Sequence, residues 1–188
     1  MALHDLPMDN QWLPFTPNRH FKKDPRVFVA AEGMHFTTHD GRQVIDGISS
    51  LWCVGAGHNR KPINEAIKKQ LERFRGNQVK SLGDGVLATF DGPARAIRAA
   101  QAMREAANRL GIDVRLGLHA GEIEITDKDV RGISVHIAAR VSAKAQTNQI
   151  VVSRTVKDLV AGSGLNFDYL GDHELKGVPD TWQLYLVK

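Results

Sequence analysis

The rhythm of apolar and polar positions changes partway along the chain. Up to about residue 60, prolines, aromatics, histidines and glycines interrupt every candidate helical stripe. Alternation through residues 26–31 and 35–46 predicts a hairpin. Its turn is marked by Thr38-His39-Asp40-Gly41, where Asp-Gly favours the positive φ of a tight turn. From Pro62 to Phe74 the spacing becomes helical: Ile63, Ile67, Leu71 and Phe74 share one face, and Glu65, Lys68, Lys69 and Glu72 the other.

Beyond Asn77 the pattern is regular. Short strands are expected at residues 78–82 and 86–90, around the acidic tip Gly83-Asp84-Gly85. Asp91 is the expected N-cap of a helix with Pro93 in its first turn, a buried stripe of Ile97, Ala100, Met103, Ala107 and Leu110, and a stop at Gly111. Val114, Leu116, Leu118 and Ala120 alternate as a strand, which residues 122–126 continue. A helix is expected over residues 132–145 and a strand over 150–153. A short helix should follow, opened by a Thr155/Asp158 capping box, and a last strand over 181–187. No internal repeat and no low-complexity tract interrupts this order.

Composition narrows the class. A chain of 188 residues has room for one domain with a real core or two small units. The formal net charge of +4 is mild and its bases are scattered, which argues against a nucleic-acid surface. The single Cys53 excludes an intrachain disulfide and suits a reducing, cytoplasmic setting. No run approaches the ~20 apolar residues of a membrane span, so no membrane partner is expected. The opening Met-Ala-Leu-His-Asp-Leu-Pro lacks the pattern of a signal peptide.

Four ordered segments carry candidate chemistry: Lys80-Ser81-Leu82-Gly83-Asp84-Gly85, the glycine-bearing strand Leu116 to Glu122, Asp129-Val130-Arg131-Gly132 running to Arg140, and Leu175-Lys176-Gly177-Val178-Pro179. In this order and spacing, residues 71–187 resemble the later part of a class III adenylate or guanylate cyclase catalytic domain. The resemblance implies an α+β fold: a ferredoxin-like cyclase sheet with helices on one face. It implies ATP as substrate, cyclic AMP and pyrophosphate as products, and a homodimer with its sites at the interface. Asp84 matches a metal-binding aspartate, for Mg²⁺ or Mn²⁺, hard cations that oxygen ligands suit. Lys80 and Asp129 match the pair that reads adenine. Arg140 matches the arginine that stabilises charge on the transferred phosphate. His136, four residues earlier on the same helix face, stands where the family usually has a ribose-orienting asparagine. Val178 stands where many members place a further phosphate-binding lysine. His119 and Glu122 are read as structural.

The first third lacks the opening cyclase strand, whose aspartate would be the other metal ligand, so a weakened metal site is expected. Residues 11–68 instead resemble the start of a pyridoxal-phosphate-dependent ω-amino acid aminotransferase. The carriers are Trp12-Leu13-Pro14-Phe15-Thr16, Ala31-Glu32-Gly33-Met34, Asp40-Gly41-Arg42, Asp46-Gly47, Leu51-Trp52-Cys53 and Gly57-His58. The cofactor-binding residues of that family lie beyond this segment, so no pyridoxal phosphate is expected. The chain thus reads as a chimera: an aminotransferase-like segment over 1–70, whose hairpin and helix replace the first cyclase strand and helices, then a partial cyclase domain over 71–188. Asp46 is a remote candidate for the missing metal ligand, against a strand-end role. Three functions stay open: an impaired adenylate cyclase, an inactive nucleotide-binding or dimerisation module, and a chimera without function.

Overall fold

The computed structural model describes residues 12–13, 16–48, 50, 57–81, 85–126 and 129–188. It divides the chain into two units, Met1–Arg60 and Lys61–Lys188. Asp84 and the segment Leu51-Trp52-Cys53 lie outside the described residues.

In the first unit, helix α1 (Asn18–Phe21) precedes strands β1 (Phe28–Glu32), β2 (His35–Thr38) and β3 (Gln43–Ile45), paired in that order as an antiparallel meander. The expected hairpin is therefore two hairpins, because the Thr38–Gly41 turn divides its second arm. Thr38 N–H donates to the Arg42 carbonyl at 2.9 Å, and Gly41 takes φ +85 there.

Beyond β3, the Asp46 carboxylate gathers the chain. It accepts from the backbone N–H groups of Ile48 and Ser50, from the Ser50 hydroxyl at 3.0 Å, and lies 2.8 Å from His58 Nε2. His58 also pairs by backbone with Gly33, and its ring lies 4.7 Å from that of Phe36. The Ser50 N–H leads these donors in holding the Asp46 carboxyl down from its ordinary 3.8 to about 2. A group whose folded pKa is depressed contributes stability above its unfolded pKa and loses it as pH falls through the folded one. This unit should therefore be intact at about pH 5 and loosen between about pH 4 and 2. Backbone amide NMR during an acid titration checks this. Asp46→Asn should abolish that step, and an unchanged acid transition in the variant would sink the assignment.

In the second unit, α2 (Lys61–Arg73) buries Leu71 and packs against α3 (Pro93–Arg109). The unit boundary thus falls ahead of α2, whereas the change of character in the sequence is read at residues 70–71. Between these helices, β4 (Asn77–Ser81) and β5 (Val86–Thr89) form their own antiparallel pair. The main sheet has the order β10-β11-β9-β6, from β6 (Leu116–Leu118), β9 (Ile150–Ser153), β10 (Phe167–Glu174) and β11 (Thr181–Val187). Only β6 and β9 run parallel; the other pairs are antiparallel.

Alternation along β9 builds two cores. Ile150 and Val152 face Ile97 and Ala100 of α3 and Val156 of α5 (Arg154–Leu159). Val151 faces Ile137 and Val141 of α4 (Ile133–Lys144), with Leu184 beside them. Each fully buried aliphatic side chain contributes about 1.5–3 kcal/mol. The α+β class holds, but α4 lies on the opposite face from α3 and α5, so the helices cover both faces rather than one.

Several local expectations give way to ion pairs. Gly92, not Asp91, is the N-cap of α3, and Asp91 accepts from Arg95 one turn on. Ser153 precedes α5 without a side-chain cap, and Asp158 takes Arg154 and Lys157 as partners instead of closing a capping box. Leu110 is exposed, since α3 ends before it. Residues 119–123 are not strand; a separate two-stranded ribbon, β7 (Glu124–Ile125) with β8 (Val130–Arg131), follows them. Asn148 enters β9 at φ +60, where its side chain binds Asp113 and the Val114 N–H. That staple sets β6 alongside β9.

Candidate functional site

Lys80 sits near the end of β4, just past a slip in register: Gln78 lies opposite Ala88, but Lys80 lies opposite Leu87. An extra residue of this kind re-aims the side chains that follow. Asp129 immediately precedes β8. Its carbonyl accepts from the Thr126 N–H and hydroxyl, both at 2.9 Å, and its Oδ1 accepts from the Val130 N–H at 2.8 Å. The Lys80 ammonium then donates to both carboxylate oxygens, at 2.7 and 2.8 Å, across 49 residues of sequence. Lys80 leads the causes that lower the Asp129 pKa, followed by the Val130 N–H.

The same segment continues into α4. Gly132, the N-cap, has φ +127, and a side chain there would press on the Glu122 carbonyl at 3.3 Å. Ser134, Ile137 and Val141 turn inward, while His136 and Arg140 stay exposed. Arg140 Nε donates to the Lys176 carbonyl at 3.0 Å. Among the described residues, no hydrogen bond joins Lys80 or Asp129 to His136 or Arg140. The four residues share a continuous backbone path from Asp129 to Arg140, with Lys80 tied to its start.

His119 behaves as a structural residue. Its Nδ1 lies 2.8 Å from the hydroxyl of the fully buried Ser153, its ring meets Trp182 edge-on, and burial pushes its pKa down. Glu122 is exposed. Asp46 has its oxygens committed to Ile48, Ser50 and His58, so it belongs to the first unit's own scaffold. Among the described residues, no group of three histidines, cysteines or carboxylates is placed to hold a metal. No helix among them is long and apolar enough to cross a membrane. Two contacts escape a reading of motifs, although their residues fall within the quoted segments: Gly117 lies against the α4 backbone, and the Lys176 carbonyl meets Arg140.

A two-sided α+β sheet, a separate hairpin bearing lysine, and an Asp-to-Arg segment opening the helix on one face define a nucleotide cyclase type of domain. The family model for the adenylate and guanylate cyclase catalytic domain matches residues 60–188, and the chain belongs to that family. An adenylate/guanylate cyclase/hydrolase structure from Silicibacter pomeroyi superposes with a TM-score of 0.61 at 29% identity, over 65% of this chain and 77% of that one. A putative adenylate cyclase 3 from Rhizobium meliloti is 33% identical over 123 residues, 61% of this chain and 21% of that protein. An omega-aminotransferase from Caulobacter vibrioides is 54% identical over 63 residues, 34% of this chain. The chain spans only 14% of that aminotransferase's length. Two unrelated families thus match parts of one chain, which is consistent with a fusion.

Proposed function

We propose that the second unit is an adenylate cyclase domain that selects ATP and forms cyclic AMP and pyrophosphate slowly. The observation that carries this reading is the Lys80–Asp129 pair. An ammonium donates to the adenine ring nitrogen N1, and a neighbouring carboxylate accepts from the exocyclic amine. Guanine offers the reverse pattern on that edge. The two side chains satisfy each other without nucleotide, so binding exchanges one ion pair for two charge-assisted hydrogen bonds.

The reaction requires the ribose 3′-hydroxyl to attack the α-phosphate while pyrophosphate leaves. Arg140, permanently charged, would neutralise the phosphate, and His136 would donate to the ribose. These residues and the carboxylate of Asp84 would come from opposite copies of a homodimer. The residues described do not make up a two-metal site: Asp46 is committed elsewhere, and no carboxylate cluster accompanies the pair. The replacement of the opening cyclase strand, which would carry the other metal-binding aspartate, supports a strongly reduced rate. The same observation favours the second reading, a nucleotide-binding or dimerisation module without turnover.

Cyclic AMP formation from ATP with Mn²⁺, run beside Asp84→Ala and with calorimetric ATP binding, separates the readings. We expect slow product formation that falls at least about 100-fold in Asp84→Ala. ATP binding without product would favour the module, and neither would leave the chimera without function.

A further inference from the structure

Resting on that reading of Arg140, we infer that the turn between β10 and β11 positions this arginine, and that Gly177 sets the turn. A guanidinium carries five N–H donors in one rigid plane. Donation from Nε to a fixed carbonyl orients that plane and leaves the terminal nitrogens for a phosphate. Arg140 lies exposed on α4, and its Nε donates at 3.0 Å to the Lys176 carbonyl. Among the described residues its terminal nitrogens have no hydrogen-bonding partner.

The carbonyl is itself held. Leu175 and Val178 are 2% and 9% exposed and pack in the cluster with Ile137 and Val141 of α4, the helix that carries Arg140. The Val178 N–H closes the turn onto the Leu175 carbonyl at 2.9 Å, with Lys176 and Gly177 at its centre. Gly177 has φ +78. Positive φ at the third position is the mark of a type II turn, whereas type I has negative φ there. The two types differ by a flip of the central peptide, here the one joining Lys176 to Gly177. Glycine at 177 thus decides whether the Lys176 carbonyl faces Arg140 or turns away.

Gly177→Ala tests this. A Cβ there meets nothing within 4 Å, so its effect is on backbone conformation alone. Gly162→Ala is the matched control: φ +80, equally open, in the turn after α5. The Arg140 Nε–H signal in ¹H–¹⁵N spectra of the full chain is the first readout. Its protection from exchange should fall about tenfold in Gly177→Ala and stay unchanged in Gly162→Ala. In cyclase assays kcat should drop about tenfold with KM for ATP within about twofold. Gly177→Asn, which tolerates positive φ, should restore both. An unaltered Nε–H signal in Gly177→Ala, or equal losses in both alanine variants, overturns the inference. If the wild-type chain makes no cyclic AMP, the functional reading fails, while the spectra still decide the turn's hold on Arg140.

Discussion

Gly117→Ala is expected to destabilise the second unit by about 3 kcal/mol, the upper part of the range for overpacking. Gly117 is the middle residue of β6, and α4 crosses it backbone to backbone. A Cβ would lie 2.2 Å from the Ser142 nitrogen and 2.3 Å from its Cα. These are main-chain atoms of the last turn of α4, so no rotamer change relieves the clash. The helix must move, and with it Ile137 and Val141, which fill the core on that face. Against a total stability of about 5–15 kcal/mol this is a large fraction. The melting temperature should fall by roughly 10 °C. Gly92→Ala is the comparison: extended backbone at φ −159, open space around the Cβ, and an expected loss below about 1 kcal/mol. Thermal melts of both variants, followed by far-UV circular dichroism, check the pair. A Gly117→Ala protein melting within 2 °C of wild type, about what a 0.5 kcal/mol change would give, would show that the helix–strand approach is looser than described.

The second large effect is on nucleotide choice. Lys80→Ala and Asp129→Ala should each weaken ATP binding roughly tenfold or more, the usual worth of one charge-assisted hydrogen bond. GTP binding should change far less, because neither side chain matches the guanine edge. Lys80→Glu combined with Asp129→Cys should reverse the preference, as glutamate accepts from the guanine N–H groups and cysteine removes the clash of two acceptors. Both Lys80 and Asp129 are over a third exposed, so folding stability should change little. Calorimetry with ATP and GTP on all three variants is the measurement. Equal losses for both nucleotides would mean the pair is a surface ion pair and not a base reader. The Asp129 carboxyl is held below its ordinary pKa, so the pair persists through neutral pH and is lost only as pH falls through that lowered value.

Local pattern determined much of this protein. The stripe from Ile63 to Phe74 and the alternation of β9 and β11 made those elements legible, because an element that buries one face repeats its apolar residues with its own period. The motif order likewise singles out Lys80, Asp129, His136 and Arg140 as candidates. Other features lay outside that signal. β10 was invisible because Phe167 to Glu174 is acidic, carries Gly171, and loses its alternation at a bulge between Tyr169 and Gly171. The capping roles read at Asp91 and Thr155 failed because arginine one turn away offered the carboxylates a charged partner. Nothing in the pattern placed α4 opposite α3, set Gly117 against Ser142, closed Lys80 onto Asp129, or turned the Lys176 carbonyl towards Arg140. Periodicity is a property of neighbours along the chain, and it decides which residues need cover. Which distant segment supplies that cover, and how closely it approaches, depends on packing the whole unit, so only the tertiary structure decided it.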